Sequence, residues 1–198
     1  MLSPNFAVLG SLINIAGCIA YLSDTLKGKA KPNRVSWSLW SVAPFIAFGA
    51  ELTQGFRVQS LITLSAGLGP ALVLAASFTV KKAYWKIKPF DWYCAALSVL
   101  ALSLWLITGK GDIAIVFSIC ADLLACIPTG FKAYTHPETE SASAFGAGFI
   151  GTSIGLLSTQ HWTFPNYAFP AYLVILNGGI ACIITLRKHV KSKANANL

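Results

Sequence analysis

Three polar side chains interrupt long apolar stretches of this sequence, and their chemistry gives the first indication of a site. Asp122 lies near the middle of one stretch, and Asn14 and Asn177 hold comparable positions in two others. An asparagine amide both donates and accepts hydrogen bonds, which suits a polar and largely uncharged ligand. A carboxyl group in such surroundings is costly unless it is paired or protonated, so Asp122 is a candidate for ligand binding or for proton coupling. The alternative for each residue is a hydrogen bond that only joins two helices.

Five further residues extend this candidate site. The indole ring of Trp40 can form one wall of a pocket, and the hydroxyl groups of Thr152 and Ser153 can face its centre. Pro44 and Pro128 each remove a backbone donor from a predicted helix, and such residues kink helices. We therefore predict that Pro44 and Pro128 are hinges, although prolines also occur in membrane helices that do not move.

Two glycine-rich motifs in residues 146–155 match patterns that belong to other folds. Residues 146–151 fit the dinucleotide-binding pattern and residues 151–155 fit a serine nucleophile elbow, but neither follows a predicted strand. The histidines lie outside the apolar stretches, so none can serve as a base or a metal ligand at that depth. We expect no metal, no other cofactor and no enzymatic activity.

The composition indicates which elements must position these residues. Hydrophobic residues make up 55% of the 198 positions and charged residues only 11%, against about 25% charged residues in soluble domains. A helix that spans a membrane needs about 20 mostly apolar residues. The continuous apolar runs exclude an alternating β-barrel pattern and predict an all-α integral membrane protein. The predicted spans are 5–23, 35–54, 58–80, 91–108, 112–132, 143–160 and 165–186.

The net charge of +8 is distributed unevenly along the chain. All lysines and arginines except Arg57 and Lys110 fall in one set of alternate loops or in the tail 187–198, which we predict to be disordered. The positive-inside rule places that set in the cytoplasm, with the N-terminus outside and the C-terminus inside. This placement indicates contact with membrane lipids rather than nucleic acid, and we expect the inner (plasma) membrane of a bacterium.

A weak internal duplication organises the predicted spans. Residues 13–20 recur as residues 121–128, with a shared cysteine and isoleucine and with asparagine replaced by aspartate. Each copy opens a block of three spans, 5–80 and 112–186. After three spans the chain lies on the opposite side of the membrane, and the linker helix 91–108 brings it back, so the second block enters in the same direction as the first. We therefore predict two parallel repeats in a single membrane domain.

Short segments of this chain resemble the SWEET sugar transporters and the wider PQ-loop superfamily, which share this arrangement of three, one and three helices. The segment 127–134, Ile-Pro-Thr-Gly-Phe-Lys-Ala-Tyr, is similar to the proline-glutamine segment of that family, with Thr129 in place of glutamine. Residues 18–29 and 35–37 resemble its first copy, and residues 140–143 resemble the turn into the sixth helix.

This resemblance implies a small-solute transporter that works by alternating access, and it implies that Asn177 lies in the substrate pocket. Sugar is the default solute, while amino acids and vitamin precursors stay open, and one buried acid fits either facilitated diffusion or proton coupling. The alternative is a receptor or accessory subunit of a membrane complex that has the same fold and does not transport. SWEET-type proteins tend to have prolines in helices 1, 2, 5 and 6, whereas this chain keeps only Pro44 and Pro128 of that set, which slightly favours the alternative. Two repeats in one chain can form a whole pathway, so either a monomer or a homo-oligomer is compatible with the sequence.

Overall fold

The computed structural model describes residues 2–3, 5–53, 60–80, 85–108, 111–160 and 162–196. Within these residues the chain forms seven α-helices, and no β-strand is present in the described ranges, which confirms the all-α fold class. A single 3-10 turn, Pro137–Thr139, precedes the sixth helix. The helices are α1 (Phe6–Leu26), α2 (Arg34–Thr53), α3 (Ser60–Thr79), α4 (Pro89–Thr108), α5 (Gly111–Thr135), α6 (Ala142–Leu157) and α7 (Phe164–Ala196).

Each predicted span corresponds to one helix, but three helices run clearly past their predicted ends, and α1 continues to Leu26 instead of residue 23. Helix α5 continues to Thr135, and α7 continues to Ala196. The prediction of a disordered tail after Arg187 is therefore wrong up to Ala196, because that segment extends α7. Some residues used in the charge argument lie outside the described residues, namely Arg57, Lys81, Lys82, Lys110 and His161.

Three helices in the described part of the chain are long and apolar enough to cross a membrane. These candidate spans are Phe6–Leu26, Ile115–Thr135 and Tyr167–Ala194, which belong to α1, α5 and α7. Two shorter apolar stretches, Leu64–Thr79 and Ala142–Leu157, lie in α3 and α6. The apolar helices are thus compatible with a membrane protein, and the crossing of a membrane by the other four helices stays a prediction.

We call α1, α2 and α3 the first group of helices, and α5, α6 and α7 the second group. Helix α3 contacts both α1 and α2, and α7 contacts both α5 and α6. The two groups meet where α1 packs on α6 and where α2 packs on α5, while α4 packs on α5 and α2. The helices that carry the candidate site residues are thus brought together in one bundle.

Small residues allow α1 and α6 to approach closely. A Cβ atom added at Gly10 would lie 2.6 Å from the backbone oxygen of Gly151, and one added at Gly17 would lie 2.6 Å from the Cβ of Ala147. These distances are too short for real Cβ contacts, so any larger side chain at either glycine would push the two helices apart.

The largest group of buried side chains lies at one end of the bundle. We call this end of the bundle the basic end, because most of the lysines lie there. Helices α1, α3, α5 and α7 finish at the basic end, and α2, α4 and α6 begin there. Its core joins side chains from six helices around the ring of Tyr21, which is fully buried. The members are Tyr21, Ala30, Trp37, Val73, Cys126, Ala133, Phe145, Ile180 and Ile184.

Candidate functional site

A buried ion pair lies at the basic end. The Nζ atom of Lys132 is 2.6 Å from Oε1 of Glu140, and their side chains are only 1% and 0% exposed. The hydroxyl group of Tyr21 donates a hydrogen bond of 2.7 Å to Oε2 of the same carboxylate. Lys132 also donates to the backbone carbonyl of Lys31. We call Tyr21, Lys132 and Glu140 the ion-pair cluster.

The ion-pair cluster corrects one prediction from the sequence. Lys132 was assigned to a basic loop, but it lies inside α5 and is almost completely buried. A buried charge without a partner costs several kcal/mol, so Lys132 and Glu140 depend on each other for their place in the core. The sequence predicted Glu140 only as part of the turn into the sixth helix, and Tyr21 only as part of the segment 18–29, which resembles the first copy of the family motif.

Two loops dock on each other around this cluster. The backbone N–H of Lys31 donates to the carbonyl of Thr139 at 3.0 Å, and the hydroxyl of Ser141 donates to Oδ2 of Asp24 at 2.8 Å. Gly28 directs the first loop, since its φ of 70° lies in the left-handed region that favours glycine after a helix. The α1–α2 loop is thereby fixed against the turn between α5 and α6.

Aromatic rings pack beside the ion-pair cluster. Tyr21 contacts Trp37 with ring centroids 4.4 Å apart, and Trp37 contacts Trp40 at 5.5 Å. The ring of Phe145 also contacts Trp40, with ring centroids 6.4 Å apart. Trp40, predicted to be a pocket wall, is therefore part of a packed aromatic cluster. On the other side, the ring of Trp85 lies 5.1 Å from Nζ of Lys132, which is close enough for a cation–π interaction.

Asp122 has a partner that the sequence did not reveal. The hydroxyl group of Tyr172 on α7 donates a hydrogen bond of 2.9 Å to Oδ2 of Asp122 on α5. The bond joins two helices of the same group and gives the carboxyl group one polar neighbour inside the bundle. Tyr172 lies in an apolar stretch and carries a polar hydroxyl group, which is the signal that could have identified it.

The other predicted polar residues make contacts within or between their helices. The amide of Asn177 donates to the carbonyl of Leu173 at 2.9 Å. Thr152 donates to the carbonyl of Gly148 at 2.7 Å, and Ser153 donates to that of Phe149 at 2.7 Å. All three side chains thus bond to their own helix, an arrangement common for polar residues in apolar helices.

Asn14 and Asn177 both lie beside glycines of α6. A Cβ atom at Gly151 would lie 3.4 Å from the Cβ of Asn14, and one at Gly148 would lie 2.7 Å from Oδ1 of Asn177. Asn14 therefore belongs to the contact between α1 and α6, and its role in ligand binding stays a prediction. Pro44 and Pro128 lie inside α2 and α5, where their role as hinges also stays a prediction.

The extension of α7 covers the outside of the basic end. Lys191 donates to the carbonyl of Thr135 at 2.8 Å and lies 3.1 Å from Oε2 of Glu138. The pKa of Glu138 lies below its ordinary value. Burial raises this pKa, but a hydrogen bond from the backbone of Glu138 to its own carboxylate and the interaction with Lys191 lower it by more. Among the described residues, no group of histidine, cysteine, aspartate or glutamate side chains is arranged to hold a metal ion.

Comparison with known proteins gives no relative. No protein-family model matches the chain, no characterised protein is similar to it, and no solved structure matches its fold.

Proposed function

We propose that this chain is a small membrane carrier that moves a polar, largely uncharged solute by alternating access between two groups of three helices. The observation that carries the proposal is the bond from Tyr21 in the first group to Glu140 in the second, next to a buried ion pair. In this proposal the basic end faces the cytoplasm and is closed in the described state, and the ion-pair cluster is its gate.

The packing of the helices supports two parallel repeats. If α1, α2 and α3 correspond to α5, α6 and α7, the contact of α1 with α6 is equivalent to the contact of α5 with α2. Likewise α3 and α7 each contact both other members of their group. A two-fold axis along the membrane normal relates such repeats, and a pathway between them can open at either end.

Opening of the basic end would break a small number of identifiable contacts. Lys132 and Glu140 both belong to the second group, so their ion pair can persist while the groups separate. Four bonds between the groups would break: from Tyr21 to Glu140, from Lys132 to the Lys31 carbonyl, from the Lys31 amide to the Thr139 carbonyl, and from Ser141 to Asp24. Water would then hydrate the exposed ends of the ion pair and offset part of this loss.

Several buried polar atoms near the basic end would gain hydrogen bonds if this end opened. The side-chain atoms Nδ2 of Asn33, Oγ of Ser36, Nε1 of Trp40 and Oγ1 of Thr129 are buried without a hydrogen-bond partner among the described residues. Each buried unpaired polar group costs about 1–3 kcal/mol. An open state in which water or solute bonds to these atoms would recover that free energy, which favours a closed state that is easily opened.

The pair of Asp122 and Tyr172 is the proposed solute site. A solute hydroxyl can replace the phenol of Tyr172 as the donor to the carboxyl group, with little change in the number of hydrogen bonds. The resemblance to sugar transporters makes a sugar the first solute to test. A pH-dependent flux would identify proton coupling, and a pH-independent flux would identify facilitated diffusion.

A receptor or accessory subunit without transport is the second candidate. The side chains of Asn177, Thr152 and Ser153 already bond to their own helices, which favours a packing role for them. The close contact of α1 with α6 at Gly10 and Gly151 also suits a scaffold. A partner that co-purifies in stoichiometric amount, together with an absence of flux, would establish this candidate.

The test begins with a thermal-shift screen of the purified protein against sugars, amino acids, nucleosides and vitamin precursors at two pH values. A ligand present at 100 times its Kd raises stability by about 2.7 kcal/mol, which is readily measured. We expect a stabilising solute to act on wild type and on the matched surface control Glu138→Gln, but not on Asp122→Asn. The active solute is then tested for flux in proteoliposomes, and a lack of flux for every solute that binds would contradict the carrier.

A further inference from the structure

The helical extension of α7 holds the turn that carries Glu140. The Nε atom of Arg187 donates to the carbonyl of Tyr134 at 3.0 Å, and Nζ of Lys191 donates to that of Thr135 at 2.8 Å. Lys188 donates to the backbone carbonyl of Glu140 at 2.8 Å. Three basic side chains of one helix therefore bind the last residues of α5 and the residue that pairs with Lys132.

The chemistry of a helix end explains these contacts. The last four carbonyl groups of a helix have no partner within it, and the negative end of the helix dipole attracts cations. Helix α5 ends at Thr135, so the carbonyls of Tyr134 and Thr135 belong to this set. The basic residues of α7 supply the missing donors, which also explains why a lysine-rich tail is helical here.

We propose that this extension is a clamp that keeps the basic end closed, and that the phosphate groups of anionic lipids release it by binding Lys188 and Lys191. The clamp, defined as Arg187, Lys188 and Lys191, positions Glu140 for its bond with Tyr21. This inference rests on the proposed gate, and it adds the surface and the partner that control it.

The position and exposure of the extension favour a lipid partner. Leu186 and Val190 are one helical turn apart and are 59% and 55% exposed, so an apolar strip continues along α7 beside its basic residues. Lysines next to such a strip lie at the level of the head groups when the helix leaves a membrane. Attraction of a lysine to an anionic membrane surface is comparable in strength to its attraction to a helix end, so the two partners compete.

Hydrogen exchange in lipid vesicles tests the clamp without any solute. The amide of Lys31, which donates to the carbonyl of Thr139, reports whether the two loops are docked. In neutral phosphatidylcholine vesicles we expect its exchange to be about five- to tenfold faster in the variant K188A/K191A than in wild type. The matched control K27A/K29A removes two exposed lysines from the same end and should exchange like wild type. The variant K188R/K191R keeps the charges and should also exchange like wild type.

The lipid dependence is measured in the same way. In vesicles that contain phosphatidylglycerol, we expect wild type to exchange as fast as K188A/K191A does in neutral vesicles. Inorganic phosphate added to neutral vesicles should have no effect, and an equal effect of phosphate would overturn the lipid as the source. Equal exchange in K188A/K191A and K27A/K29A would overturn the clamp. A failure of transport alone would overturn the carrier and leave the clamp in place, because no solute enters this measurement.

Discussion

The phenol of Tyr21 and the carboxylate of Glu140 are joined by a hydrogen bond of 2.7 Å across 119 residues of sequence. Both groups are buried, and the acceptor is already paired with Lys132. This bond links the first and second groups of helices at the basic end, beside the bonds from Lys132 to Lys31, from Lys31 to Thr139 and from Ser141 to Asp24.

The substitution Tyr21→Phe keeps the aromatic ring and removes the hydroxyl group. A hydrogen bond to a charged group contributes about 1.5–3 kcal/mol, so we expect a loss of that size in the free energy of unfolding. The measurement is denaturant unfolding in detergent. Tyr93→Phe is the control, since Tyr93 is 71% exposed and should be neutral. Equal stability of the two variants would show that the bond contributes nothing.

The ion pair is tested by a double-mutant cycle with Lys132→Met and Glu140→Gln. Each single substitution leaves one buried group without its charged partner, and we expect each to cost about 3–5 kcal/mol. The double variant should cost clearly less than the sum, because no uncompensated charge remains. Additive losses would mean that Lys132 and Glu140 do not interact in the folded protein.

Asp122 and Tyr172 are tested with a hydrophobic carbodiimide, which reacts with carboxyl groups in apolar surroundings. The substitution Tyr172→Phe removes the donor that occupies the carboxyl group, so we expect faster labelling of Asp122 than in wild type. Mass spectrometry of the labelled peptide measures the rate. Asp122→Asn should abolish labelling at this position, and equal rates in wild type and Tyr172→Phe would contradict the pairing.

The contact of α1 with α6 gives a prediction with an internal control. A Cβ atom at Gly151 would lie 2.6 Å from the backbone oxygen of Gly10, whereas one at Gly146 would have nothing within 4 Å. We expect Gly151→Ala to cost about 1–3 kcal/mol through overpacking. Gly146→Ala should be neutral or stabilising by up to about 1 kcal/mol, since alanine favours the helix more than glycine does. Thermal unfolding of both variants makes the comparison, and a stable Gly151→Ala would place α6 further from α1.

The sequence predicted the helices well, because an apolar stretch of sufficient length is recognisable without knowledge of its neighbours. Asp122 was predicted to be a site residue for a similar reason, since a carboxyl group in such a stretch must be paired or protonated. The partner itself, Tyr172, was missed, because nothing in the spacing of the two residues indicates that α5 and α7 bring them together.

The ion-pair cluster was missed for a different physical reason. Charge alone assigned Lys132 to a loop, and only the packing of α5 shows that its side chain points into the core. The extension of α7 was predicted to be disordered from its polar composition. It is helical, and its residues Arg187 and Lys191 bind the carbonyl groups of Tyr134 and Thr135 at the end of α5, contacts that the local sequence does not reveal.

The long separation between Tyr21 and Glu140 also has a consequence for biosynthesis. A ribosome must add 119 further residues after Tyr21 before the acceptor of its hydroxyl group exists. Until then the first three helices lack their partner at the basic end, and the surface that later meets α5 and α6 is uncovered. The nascent chain therefore passes through a stage in which its first half lacks the contacts that cover this surface in the folded protein.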